Sequence, residues 1–249
     1  MGNKADIIWI DIAKSSNEYA RNAICRLDNL SVVSVKEQTA GRGQAGNSWE
    51  SKAGENLTFS IVLKNPEISS TEQFAISQLT SLAVIDLLAG HGITAEIKWP
   101  NDIYVGDKKI CGILIENALA GPAIRWSIVG IGLNVNQTGF PSHIPNPTSM
   151  ALEVQDRKFD CSELIEEFLD LFSSYYGRYL NATGGLKKLR QLYLSQLRHK
   201  DQPHLFRDLR SGHQVEFTGT IRSVTPAGYL IVENGDGDMM NFTFKEITY

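Results

Sequence analysis

A chain of 249 residues, 42% of them hydrophobic and 21% charged, has the make-up of a globular protein with one fair-sized core and room for a small appendage, which sets aside disordered and fibrous classes. Its 24 Lys and Arg against 28 Asp and Glu leave a net charge of −4, so the basic footprint of a protein that tracks phosphate backbones is missing and no nucleic acid partner is expected. Cys25, Cys111 and Cys161 are odd in number and lack CxxC or Cys/His spacing, and the five histidines are scattered, which argues against disulfides and zinc and for a reducing, cytoplasmic setting.

Residues 7–12 form a short apolar stretch interrupted by Asp11, read as a first strand because the longer apolar region and cleavage site of a secretory signal are lacking. Gly2 suggests myristoylation, but Asp6 stands where that motif wants Ser or Thr. No run approaches the ~18 apolar residues that cross a bilayer, so no membrane partner is expected. Ser15 and Glu18 read as a capping box opening a helix over residues 16–27. Strands at 32–37 and 58–63 flank residues 38–56, a Gly-rich and polar segment too long to be a mere connection.

A second capping pattern at Ser70 and Gln73 predicts an amphipathic helix over residues 70–88. Four strands follow, at 95–99, 103–105, 110–115 and 125–135, with Gly106-Asp107 as a tight connection. Helices return at 162–180 and 186–198. After Pro203 the pattern changes to strands at 214–224, 229–233 and 239–247, a small β unit whose residues 201–249 hold four Lys/Arg against seven Asp/Glu, which disfavours an RNA-binding barrel. The organisation expected is therefore a main domain over 1–200 and a small one over 201–249.

Three glycine-bearing segments carry the candidate chemistry. Residues 40–49, AGRGQAGNSW, place glycines and Arg42 in a loop where backbone N–H groups and a guanidinium approach a phosphate, although a plain flexible loop has the same composition. It is neither a P-loop nor a dinucleotide fingerprint. Lys98 and Lys109 lie on or beside adjacent strands joined by a turn, so both ammonium groups are able to meet one anion. The alternative is a solvated hairpin tip at Lys108-Lys109 and turn chemistry at Asn101-Asp102. The third segment, residues 130–134, is able to converge with the other two at one site.

On GRGQAGNSW at 41–49, KWPNDIYV at 98–105, KKICGIL at 108–114 and GIGLNV at 130–135, in that order and with SSN at 15–17, the chain resembles the biotin protein ligase family. The resemblance implies an α/β fold, a mixed β-sheet flanked by helices and related to the class II aminoacyl-tRNA synthetase core, with a small C-terminal β-barrel. Members that also repress transcription carry a helix-turn-helix domain before the core, and this sequence looks like the ligase-only group. The implied reaction joins biotin to ATP as biotinoyl-5′-AMP with Mg²⁺, then transfers biotin to a lysine of a biotin carboxyl carrier domain of the acetyl-CoA carboxylase type. Members are monomers or homodimers.

The resemblance also assigns roles. Arg42, Lys98 and Lys109 would surround the carboxylate and phosphates, Lys109 binding the biotin carboxylate and then the adenylate linkage. Ser15, Ser16 and Gln38 would hydrogen-bond the neutral biotin head, with backbone approach at Gly41 and Gly112. Gly43 and Gln44 would line the phosphate side, Trp49 would wall the adenine side and Asn134 would contact adenine. Asn101 and Asp102 would sit near the phosphates or place the incoming lysine, with Asp102 as base or metal ligand; the family pattern assigns no complete set of metal ligands. Many members carry further arginines where this chain has Gln44, Ala45 and Asn47, so fewer cations surround the phosphates. The loop is expected to order over the adenylate and exclude water.

Three rivals remain at this level. A lipoate or octanoate ligase shares the adenylate logic, but Trp99-Pro100 and residues 38–43 favour biotin. A non-catalytic sensor of biotin or a nucleotide is disfavoured by the retention of both lysines and Arg42, since binding the neutral biotin rings needs none of them. A carrier-binding scaffold without turnover is the blandest.

Overall fold

The computed structural model describes residues 6–155, 157–180 and 182–249, with the backbone alone at Ala45, so Gly2 and the Ala45 side chain lie outside the described residues. Near-continuous β-branched and apolar runs make strands buried on both faces. That holds for β3 (Leu57–Lys64) and most of β2 (Val32–Gln38) and β7 (Ala123–Leu133), while β1 (Ile7–Ala13), β4 (Glu96–Lys98), β5 (Asp102–Val105) and β6 (Lys108–Ala120) are only partly buried; the seven form one sheet in the order β1-β2-β3-β7-β6-β5-β4. The β1–β2 pair is parallel and the other pairs are antiparallel, giving the mixed sheet expected.

The two-residue period of β3 divides the core. Leu57, Phe59, Ile61 and Leu63 point toward α2 (Phe74–Gly90), α4 (Cys161–Tyr175) and α5 (Gly185–Ser195), while Val62 points toward α1 (Ser16–Asn22) with Val33, Val35 and Ile128. The predicted amphipathic character of α2 is overturned. Ser77, Gln78, Thr80 and Ser81 are buried along with its apolar residues, because the helix is enclosed by the sheet on one side and by α4 and α5 on the other. Against expectation, residues 70–90 also reach the length and hydropathy of a membrane span, here largely buried inside the protein.

Other boundaries move for local reasons. Ser69, not Ser70, accepts from Thr71 N–H and opens a 3-10 turn at Ser70–Glu72 ahead of α2. Helix α1 stops at Asn22, and the turns after it fold Ala23 and Leu27 back onto the same apolar cluster as Ala20. The β6–β7 hairpin extends to Gly121, whose φ of 61° makes the turn; its polar, half-exposed end gave no hydrophobic signal. A single turn, α3 (Met150–Glu153), was likewise unsignalled.

The C-terminal unit is an antiparallel sheet of β8 (Pro203–Asp208), β9 (Val215–Val224), β10 (Leu230–Asn234), β11 (Met239–Phe242) and β12 (Ile247–Thr248), ordered β11-β10-β9-β8-β12. The expected barrel is not closed: the outer strands β11 and β12 do not pair, and β12 is only two residues long. Phe206, Ile221, Leu230, Val232 and Phe242 join the main core, and Trp99 Nε1 donates to Gly228 O at 3.0 Å, tying this sheet to the loop between β4 and β5.

Candidate functional site

Two adjoining cavities open on one face of the larger sheet. The first, about 230 Å³, is lined by Ser15, Ser16, Asn17, Gln38, Arg42, Gly43, Gln44, Trp49, Asn101, Asp102, Lys109, Gly112, Gly130, Gly132 and Phe244. The second, about 420 Å³, shares Trp49, Asp102 and Lys109 with it and continues past Tyr104 to Asn134, Phe140 and His143. The three glycine-bearing segments therefore do converge.

The first cavity has a neutral polar end. Ser15 is the extended N-cap of α1, its Oγ accepting from Glu18 N–H at 3.1 Å, while the Glu18 carboxylate pairs with Lys14 at 3.7 Å, so only half of the capping box forms. Ser16 N–H donates to Gln38 Oε1 at 2.7 Å, which fixes the amide at the end of β2. Beneath them Ser60, fully buried on β3, places its hydroxyl 2.8 Å from Ser16 Oγ and 2.6 Å from Asn17 Oδ1.

Residues 41–49 close on themselves, Trp49 N–H donating to Gly41 O at 3.0 Å and Gly43 N–H to Asn47 O at 2.7 Å. Several glycines are explained by this closure. A Cβ at Gly41 would collide with Trp49 O, one at Gly112 would come 2.9 Å from the indole, and one at Gly132 would overlap it. The room at these positions is filled by Trp49, whereas the sequence reading reserved it at Gly41 and Gly112 for ligand. At Gly130 the occupant is the Asn17 side chain.

A β-bulge brings Lys109 into the site. On an unbroken strand Lys109 and Gly112, three residues apart, point to opposite faces. The register shift between Ile103 and Tyr104 pairs Tyr104 with Lys109 and Asp102 with Gly112, so that both β6 residues reach the first cavity. The Lys109 ammonium lies 2.8 Å from Asp102 Oδ1, an ion pair too oblique to be a hydrogen bond, and 5.6 Å from the Trp49 ring centroid.

Lys98 is placed differently from the expectation. It sits on β4, separated from β6 by β5, so the two lysines are not on adjacent strands. Its ammonium lies over the rings of Tyr104 and Tyr249 at 5.2 and 5.3 Å, outside the lining of either cavity. Burial lowers its pKa from the ordinary lysine value, opposed by the nearby Asp102 carboxylate.

Asn101 spends its amide on β6, donating to Ile113 O at 2.7 Å. Asn134 donates to Thr148 O at 2.9 Å and lines the second cavity, while its Oδ1 is buried without a partner among the described residues. Trp49 Nε1 is likewise buried and unpaired. Unsatisfied buried polar atoms are rare in native proteins, and two in one cavity wall mark a place for a polar ligand. Arg42 Nη2 lies 3.4 Å from both oxygens of Glu116, which also takes Arg21 Nη1 and Asn17 Nδ2 at 2.9 Å each. Sequence reasoning missed Glu116, Ser60, Phe244 and Tyr249, whose places in the site depend on segments distant in the chain, and Tyr104, which lies within a segment it had singled out; the polar Glu116 after an apolar strand run was a further usable signal. Among the described residues no three His, Cys, Asp or Glu side chains converge as a preformed metal site.

This arrangement suits a ligand with a neutral hydrogen-bonding head, an anionic middle and a flat polar base. The model of the biotin/lipoate A/B protein ligase family matches residues 9–134. The chain is 32% identical to the bifunctional ligase/repressor BirA of Bacillus spizizenii over 73% of this chain and 55% of that one, so it spans little more than half of that relative. It is 28% identical to the biotin--[acetyl-CoA-carboxylase] ligase of Paracoccus denitrificans, over 90% of this chain and 92% of that one. Its fold matches that of the biotin protein ligase from Aquifex aeolicus in complex with biotin and ATP, with a TM-score of 0.78 at 23% identity over 98% of this chain and 97% of the other.

Proposed function

Because the chain belongs to the biotin/lipoate A/B protein ligase family, we propose that it is an ATP-dependent biotin protein ligase, forming biotinoyl-5′-AMP and passing biotin to a lysine of a biotin carboxyl carrier domain of a carboxylase. The observation that carries this reading is the wall of Trp49, Asp102 and Lys109 shared by the two cavities, since an acyl adenylate needs an acid pocket and a nucleotide pocket meeting at one cation. The Paracoccus relative, named for this activity and matched along most of both chains, supports it.

In this mechanism Ser15, Ser16 and Gln38 hold the uncharged head, directing the carboxylate toward Lys109. A carboxylate oxygen attacks the α-phosphorus of ATP, the bond to the β-phosphate breaks and pyrophosphate leaves. Lys109 and Arg42 lower the repulsion between the two anions, and Lys98 adds charge from behind Tyr104. The carrier lysine then attacks the acyl carbon and AMP departs. A free lysine has a pKa of about 10.4, so its amine must lose a proton first. Once Lys109 turns to the ligand oxygens, the Asp102 carboxylate 2.8 Å away is released to take it.

During adenylation, before Asp102 is needed as base, Asp102 beside both cavities and Glu50 beside the second, where it also pairs with His143 at 2.8 Å, are the carboxylates that would hold Mg²⁺ together with a nucleotide's own phosphates. The ion would neutralise phosphate charge. We divide the chain into a catalytic part, 1–200, and a C-terminal part, 201–249, which the two separate sheets support. Three free cysteines support a reducing, cytoplasmic setting.

The direct test incubates the protein with ATP, Mg²⁺, a purified carrier domain and either biotin, lipoate or octanoate. Mass gain on the carrier lysine with biotin alone is expected; gain only with lipoate or octanoate would move the chain to the other branch of the family.

A further inference from the structure

Glu116 stands on β6 next to the first cavity and is the acceptor for three groups from three segments: Arg42 of the glycine loop, Arg21 of α1 and Asn17 of α1's first turn. A carboxylate only accepts, so Asn17 must present its NH₂ to Glu116 and to Leu114 O, at 2.9 and 3.2 Å. The amide oxygen is thereby turned to the buried hydroxyl of Ser60 at 2.6 Å, which in turn touches Ser16. Gly130 has no side chain because the Asn17 amide occupies that volume. One carboxylate thus stands at the junction of two arms: Arg42 directly, and Ser16 through Asn17 and Ser60.

We propose that Glu116 is a positioning residue that sets the phosphate arm, Arg42, and the acid-pocket hydroxyl, Ser16, at one fixed spacing. The inference deepens the ligase reading and rests on it. Arg21 gives Glu116 a second cation at 2.9 Å, so when Arg42 leaves for a phosphate the carboxylate keeps a partner and Asn17 stays in place. The two arms are separable by chemistry. Gln at position 116 retains an oxygen for the Asn17 amide but loses the charge that holds Arg42; Ala loses both.

The test is pyrophosphate exchange by the full chain with separate titrations of biotin and ATP, folding being checked by melting temperature. Glu116→Gln is expected to lower kcat/KM for ATP at least about fivefold with the KM for biotin within twofold of wild type, whereas Glu116→Ala raises the biotin KM as well. In an Arg42→Ala background, Glu116→Gln should cost less than a further twofold, because its effect runs through Arg42. Effects of Glu116→Gln that simply add to those of Arg42→Ala, or that strike both substrates alike in step with a lowered melting temperature, would overturn the inference alone. A folded wild-type chain that exchanges with no acid would overturn both this inference and the ligase reading.

Discussion

Asn134 lines the second cavity and carries a buried amide oxygen that no described residue satisfies. Such an acceptor fits the 6-amino group of adenine and meets the 6-oxo group of guanine lone pair to lone pair. Leaving one buried polar group unpaired costs about 1–3 kcal/mol, so GTP should support the reaction about 5- to 150-fold less well than ATP in kcat/KM. Equal use of the two nucleotides would remove Asn134 from the base site. The glycines make a second prediction. Gly132→Ala forces a methyl into the Trp49 indole, and overpacking of this kind costs about 1–3 kcal/mol, to be read in the urea midpoint together with loss of adenylation. Much of this scale was legible in the sequence, since Lys109, Gln38, Ser16 and Trp49 all line the first cavity. Glu116 was not, because its partners lie between 74 and 99 residues away and only the fold joins them.

At the scale of elements, one register shift and two rings, Tyr104 and Tyr249, decide where the cations go. The bulge opposite Tyr104 carries Lys109 to the site face, and no periodicity in KKICGIL announces it. Lys98 is held by the last strand's neighbour, Tyr249, whose ring lies 5.3 Å from the ammonium and whose hydroxyl donates to Trp99 O at 3.4 Å. A cation–π contact is worth about 0.5–2 kcal/mol, so Tyr249→Leu should raise the KM for ATP about 2- to 30-fold while Tyr249→Phe, which keeps the aromatic face, stays near wild type. Identical behaviour of the two variants would show that Lys98 does not depend on the ring. Helix α2 illustrates the opposite limit of legibility: its place in the chain was clear from its apolar length, though not its N-terminal cap, and its burial depends on α4 and α5, which one segment cannot reveal.

For the molecule as a whole, the joint between the two sheets is sensitive to acid. His199 and His204 stack at 4.1 Å beside Tyr249, and Arg198 Nε donates to His199 Nε2 at 3.0 Å, a bond that requires the neutral ring. Burial first, then His204 and Arg198, hold the pKa of His199 down to about 4, opposed by Asp107; burial also lowers that of His204. An unfolded histidine titrates near 6.5, so between about pH 6.5 and 4 the unfolded chain binds a proton that the folded one refuses. Stability is therefore fully present above pH 6.5, falls as the pH drops toward 4 and loses nothing more from His199 below that. Melting temperatures across this window should decline, with a shallower slope in His199→Asn; an unchanged slope would assign the decline to other groups. Most strands of the larger sheet and the C-terminal β unit were legible as patterns, whereas the mixed pairing of the sheet was implied only by the family resemblance. The open edge between β11 and β12 was not legible, since closure depends on pairing that strand propensity does not encode.

Pyrophosphate exchange into ATP reads the adenylation step itself, with biotin, lipoate, octanoate or no acid supplied to the folded protein and to Lys109→Ala. The two-cavity account predicts exchange that requires biotin and falls about 10- to 150-fold in the variant, the scale of one lost charge-assisted bond at the shared wall. Exchange undiminished by Lys109→Ala, or no exchange with any acid, would contradict it.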